Sequence, residues 1–188
     1  MRILKDFWLY LGESQPKWTR YIHVTLAVLI LSQIIHSNFM IIEYVPKRYL
    51  SLGTWFYICS GFTTLVVSVL FISIVLSRHS LKYFFPYLYG EFAQLKSDIN
   101  TLMRFKLPEL SPYGIAPIVQ GLGLGALVLV LISGCFWLIS WLLQWNIAFF
   151  LQETHEFLTG FIEAYIISHG VLGVIHFLLK KYLPKFIS

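Results

Sequence analysis

Four stretches of this chain, roughly Tyr21 to Ile42, Thr54 to Leu76, Ile115 to Leu143 and His155 to Leu179, are almost free of charge. Each can cross a hydrocarbon core of about 30 Å as a helix of some 20 residues. Backbone polar groups in lipid must be satisfied internally, so only helices and closed barrels span a membrane. Barrel strands alternate in polarity over about 10 residues, and nothing here does. With 57% apolar and only 12% charged residues in 188, the chain cannot clothe a soluble domain. The expected fold is an all-α integral membrane protein, a four-transmembrane-helix bundle forming one domain over residues 1–188.

The basic residues give the orientation. Arg2, Lys5, Lys17 and Arg20 precede the first span, Arg78, Lys82, Lys96, Arg104 and Lys106 lie between the second and third, and Lys180, Lys181 and Lys185 follow the fourth. Only Lys47 and Arg48 fall on the opposite side, so the positive-inside rule predicts two cytoplasmic termini and two short outer loops. No small-residue cleavage site follows a short apolar core near the N-terminus, so the first span reads as a retained helix. The net charge of +5 therefore serves topology and anionic lipid headgroups, and nucleic acid is not an expected partner.

Between the second and third spans Leu88, Phe92, Leu95, Ile99 and Leu102 recur at helical steps, with Glu91, Lys96, Asp98 and Arg104 on other faces. This predicts an amphipathic interfacial helix from Pro86 to Pro108, with Pro112 and Gly114 turning into the third span. It serves as a headgroup-level connector or as a lid or partner surface. Cys59 and Cys135, in the outer halves of their spans, read as buried packing residues, although a disulfide is conceivable. The absence of Cys-x-x-Cys-His excludes a covalently attached c-type haem. Gly121, Gly123, Gly125 and Gly134 lie in one apolar helix, which rules out a nucleotide-binding loop. Two uses remain: close helix packing, or bare backbone for a porphyrin face.

Histidines inside a span are a functional signal, and neutral imidazole is a common metal ligand. His155, His169 and His176 are 14 and 7 residues apart, steps that return to nearly one helix face, about 40° and 20° out of register. The fourth span enters from outside, so His155 lies near the outer boundary and His169 about 21 Å further in. The first span runs the other way, which puts His23 level with His169 and His36 level with His155. Two pairs from antiparallel helices are what two stacked haems with axial histidines require, and two imidazoles make a six-coordinate iron suited to electron transfer. His79, at the end of the second span, reads as an interface residue. Glu163 lies between the histidines, about 80° around from His155. It reads either as a protonated relay group or as a neutral side chain bonded to another helix, such as one carrying Gln120.

The run from His155 to His176, with Glu156 after its first histidine, resembles the fourth helix of the prokaryotic cytochrome b561 family. That family belongs to a wider group with the cytochrome b subunits of nickel-iron hydrogenase and formate dehydrogenase. Trp18-Thr19-Arg20-Tyr21-Ile22-His23 is similar to the family's approach to its first ligand. The resemblance implies a transmembrane cytochrome b domain in the bacterial inner membrane. His23 and His169 then bind the inner haem b, and His155 is one ligand of the outer haem. Relatives take the other outer ligand four residues before a glycine, a position that is Tyr57 before Gly61 here. Three arrangements follow: an outer haem on His36 and His155, one that uses Tyr57, or a single-haem protein. His176, about 10 Å nearer the cytoplasm than His169, would touch a propionate or a quinone.

The resemblance implies electron transfer between an outer-side donor and the quinone pool, with ubiquinone or menaquinone as substrate; Glu163, on its relay reading, would serve that quinone chemistry. As an oxidoreductase the protein would resemble a superoxide oxidase or use another small donor, steered by Lys47 and Arg48 against Glu43 and Glu153. As a non-catalytic carrier it would anchor a hydrogenase-like subunit or serve a cytochrome c. A non-redox membrane protein binding a metal or substrate through these histidines is the third class.

Overall fold

The computed structural model describes residues 2–14, 16–37, 52–108 and 111–182. Lys47, Arg48, Glu43, Lys185 and the expected end of the first span, 38–42, lie outside the described residues. Seven α-helices are present among them: α1 Arg2–Ser14, α2 Lys17–Ser37, α3 Leu52–Arg78, α4 Leu81–Phe84, α5 Ala93–Met103, α6 Ile115–Leu142 and α7 Ala148–Tyr182. The four apolar stretches correspond to α2, α3, α6 and α7, all long and apolar enough to cross a membrane. Apolar side chains on these helices are widely exposed, Phe62 at 65% and Phe157 at 69% among them, while Ser68 and Ser140 are fully buried. A solvent of lipid accepts apolar surface and leaves the small polar groups inside.

The chain divides into two compact units, Met1–Val75 and Leu76–Ser188. In the first, α1 precedes the first span, a helix the sequence reading did not anticipate. The spans α2 and α3 are clasped by Gln33, whose Nε2 donates to Ser60 Oγ at 2.5 Å and to the Tyr57 carbonyl at 3.3 Å. Ser60 passes its own proton to the Phe56 carbonyl. Gly61 provides the room, because a side chain there would meet the Gln33 amide at 3.5 Å.

In the second unit the connector departs from the single amphipathic helix expected. Pro86 has no amide hydrogen and disfavours helical backbone at Phe85, so α4 stops there and Pro86–Tyr89 forms a 3-10 turn. Gly90, at φ 75°, ends that turn in the left-handed region before α5 begins. Asp98, expected on a solvated face, is instead buried at 4% exposure. Its carboxylate accepts from the Ile115 amide at 2.8 Å and from Gln94 Nε2 at 2.8 Å, capping α6 from 17 residues upstream. Gly114 keeps that approach open, since a side chain there would collide with Asp98 and Ser111. Leu88, Phe92, Ile99 and Leu102 are exposed.

A short turn with Gln144 at φ 57° joins α6 to α7. Helix α7 begins at Ala148, earlier than the apolar stretch read from the sequence, so His155 lies seven residues inside it, about 10 Å from its start. At 35 residues α7 is about 52 Å long and overruns a 30 Å core. Both cysteines are exposed free thiols and not the buried packing residues expected. Buried Leu127, Trp137, Trp141, Ala148, Ile162 and Phe177 form the apolar interior of α6 and α7.

Candidate functional site

Helix α6 builds a cradle around His155. The Oγ of Ser133 lies 2.9 Å from His155 Nδ1. With the serine proton on the Val130 carbonyl at 3.0 Å, the hydroxyl accepts from the imidazole and Nδ1 carries the ring hydrogen. The ring also stacks on Trp137, with centroids 6.0 Å apart and planes 11° from parallel. Gly134 lets it in: a methyl there would lie 3.0 Å from His155 Cε1.

His36 in the first unit has the same tautomer by another route. Its Nδ1 is 2.6 Å from the Ser32 carbonyl, which can only accept, and 3.3 Å from the Ser32 hydroxyl. Nε2 is again the basic nitrogen. The ring stacks on Phe56 at 4.5 Å and 29°. Tyr57, next to Phe56, is half-buried and uses its carbonyl for the Gln33 clasp.

Aromatic support extends to the other candidate ligands. His23 stacks on Phe71 at 5.4 Å and 14°, and His169 on Tyr165 at 5.1 Å and 16°. Tyr165 lies against the bare backbone of Gly123, where a side chain would run into its ring. Each of the four imidazoles thus has an aromatic plane that limits its rotation. His176 is half-buried further along α7. His79 is exposed and stacks on Tyr83 at 4.3 Å.

The glycines of α6 mostly serve protein contacts. Gly121 faces the Phe84 backbone, Gly123 takes Tyr165 and Gly134 takes His155, which leaves Gly125 as the one of the four with open space over its Cα. Gly160, Gly170 and Gly173 on α7 are open as well. Glu163 is half-buried and makes no hydrogen bond or ion pair among the described residues; the suggested partner Gln120 is exposed and does not meet it. Glu156 is exposed and accepts from Gln152 at 2.7 Å.

Sequence reasoning found the histidines and missed what holds them. Ser32, Phe56, Phe71, Ser133, Trp137 and Tyr165 look like ordinary span residues. The available signals were the four-residue steps from Ser32 to His36 and from Tyr165 to His169, and the Ser133-Gly134 pair followed by Trp137.

These residues fit a haem better than a bare metal ion. No three His, Cys, Asp or Glu side chains gather as an ion site among the described residues. Imidazoles held against aromatic planes, two of them bonded through Nδ1, are the kind of donor an iron porphyrin takes axially. Searches among curated proteins and among solved structures gave no match. A family model described as prokaryotic cytochrome b561 matches residues 14–188. The chain belongs to the prokaryotic cytochrome b561 family, multi-pass membrane proteins that bind haem b and transfer electrons.

Proposed function

We propose that this protein passes electrons between a donor on the outer side of the bacterial inner membrane and the quinone pool, through two haems in a single transmembrane cytochrome b domain. His23 and His169 hold the inner haem, and His36 and His155 the outer one. Both termini are cytoplasmic, and α5 lies at the inner membrane surface with Phe92, Ile99 and Leu102 toward lipid.

The observation that carries this reading is the matched seating of His36 and His155, each with Nδ1 at hydrogen-bond distance from an oxygen of a serine, Ser32 and Ser133, and its ring stacked on an aromatic plane. It favours His36 over Tyr57 as the outer partner of His155. Bound haem supplies a one-electron couple. The chain's own contribution is to fix the imidazole planes against Phe71, Phe56, Trp137 and Tyr165 and to keep neutral ligands in a water-poor interior. Glu163, uncommitted to any described partner, is the group that would hold a proton taken up with the electron by the quinone. His176 sits about two turns beyond His169, where it would meet a propionate or the quinone.

Haem iron per chain tests the arrangement. Two haems with a reducible bis-histidine spectrum are expected, falling to one in His36→Ala and staying at two in Tyr57→Phe. One haem in the unsubstituted protein, or a loss in Tyr57→Phe matching that in His36→Ala, would overturn the outer site as drawn.

A further inference from the structure

Arg20 is the one guanidinium buried inside the first unit among the described residues, at 8% exposure. It lies on α2 three residues before His23, about 4.5 Å away along the helix axis and about 60° around it. Helix α1 covers it from one side. The Trp8 ring stacks on the guanidinium at 4.6 Å, the Trp8 carbonyl accepts from Nη1 at 2.5 Å, and Tyr21 packs on the same indole at 5.3 Å.

The site is incomplete as it stands. Arginine stays charged at any physiological pH. Among the described residues no carboxylate pairs with it, and none offers its buried Nε a hydrogen-bond acceptor. A buried cation with an unmet donor is strongly unfavourable unless an anion completes it. Trp8 uses one face and Nη1, which leaves the Nε and Nη2 edge, a planar fork that matches two oxygens of one oxyanion.

We propose that Arg20 is an oxyanion seat that takes a propionate carboxylate of the haem bound through His23, with Trp8 of α1 holding the guanidinium in place. The proposal rests on His23 as an inner-haem ligand. A lipid phosphate has the same chemistry, but the placement of Arg20 one turn from that ligand favours the cofactor's carboxylate. Helix α1 then becomes part of the cofactor site and not merely a leader to the first span.

The test is a cycle on the full chain in detergent, pairing Arg20→Gln with haem whose propionates are methyl esters. Haem dissociation to an acceptor protein is the readout. Arg20→Gln should speed loss of native haem by tenfold or more, about what one charge-assisted hydrogen bond supplies. It should have little effect on the ester, which the unsubstituted protein should already hold weakly. Arg20→Lys should lie between, and Trp8→Ala should shift loss in the same direction. Equal effects of Arg20→Gln on native and esterified haem would overturn the proposal. So would an effect that follows anionic lipid content in mixed vesicles and ignores esterification, which would assign the seat to a lipid. His23→Ala reports separately: an unchanged low-spin spectrum would remove the ligand reading, whereas the ester cycle speaks only to Arg20.

Discussion

Ser133 on α6 and His155 on α7 are joined at 2.9 Å, and the serine hydroxyl also lies 3.0 Å from the Val130 carbonyl. As an outer-haem ligand, His155 would be oriented by that contact. Outer-shell partners of metal-bound histidines typically contribute 10–100-fold to metal affinity. Ser133→Ala is expected to weaken the outer haem by about that factor and shift its redox potential, with Ser133→Thr close to the unsubstituted protein. Redox titration with haem quantification checks both.

Gly134 and Gly125 make a matched pair for packing. Gly134→Ala puts a methyl 3.0 Å from His155 Cε1, while at Gly125 nothing lies within 4 Å. Overpacking costs about 1–3 kcal/mol. Gly134→Ala should reduce outer-haem content and leave the inner haem in place, and Gly125→Ala should preserve fold stability. Haem spectra and melting in detergent, compared side by side, report the difference.

Gln33→Leu removes the clasp between α2 and α3 at Ser60 and Tyr57. Interhelical hydrogen bonds in membranes are worth about 0.6–2 kcal/mol each. Denaturant titration should show destabilisation of that order, and Gln33→Asn, too short to reach, should behave alike.

Asp98→Ala leaves the first amide of α6 without its acceptor and Gln94 without a partner in a buried position. The expected loss is about 1–3 kcal/mol, within the range for an unsatisfied buried donor. Asp98→Asn retains an acceptor oxygen and should lose less, as unfolding curves of the two variants would reveal.

Lys82 is bonded to Glu91 at 2.9 Å, and that hydrogen bond, followed by the carboxylate's charge, holds the ammonium above the ordinary lysine range. A raised folded-state value means the pair contributes below the unfolded pKa of about 10.4 and is lost as pH rises through the folded one. Both partners are exposed, so Glu91→Gln should leave the melting temperature nearly unchanged at pH 7. NMR titration of the Lys82 side chain should move to lower pH in that variant.

The spans were legible because a hydrocarbon solvent imposes length and composition directly, and α3 and α6 follow the expected limits within two residues. The connector was legible only in outline. Its hydrophobic steps are continuous in sequence, but Pro86 and Gly90 break the backbone, and Asp98 turns inward to accept from the Ile115 amide at the start of α6. Helix α1 escaped notice because its apolar residues are too few for a span, and its role emerges through Trp8 against Arg20.

The sequence by itself determined the membrane class, the four spans and the histidine positions, which depend on composition and periodicity along one helix, and the family through the resemblance of the runs Trp18 to His23 and His155 to His176. Tertiary structure alone decided that Ser133 and Trp137 meet His155, which glycines are filled and that Trp8 covers Arg20. Those are properties of contacts between helices. The residues that make them, Ser133, Trp137, Tyr165 and Trp8, have the same chemistry as many span residues that do nothing comparable, and only packing distinguishes them.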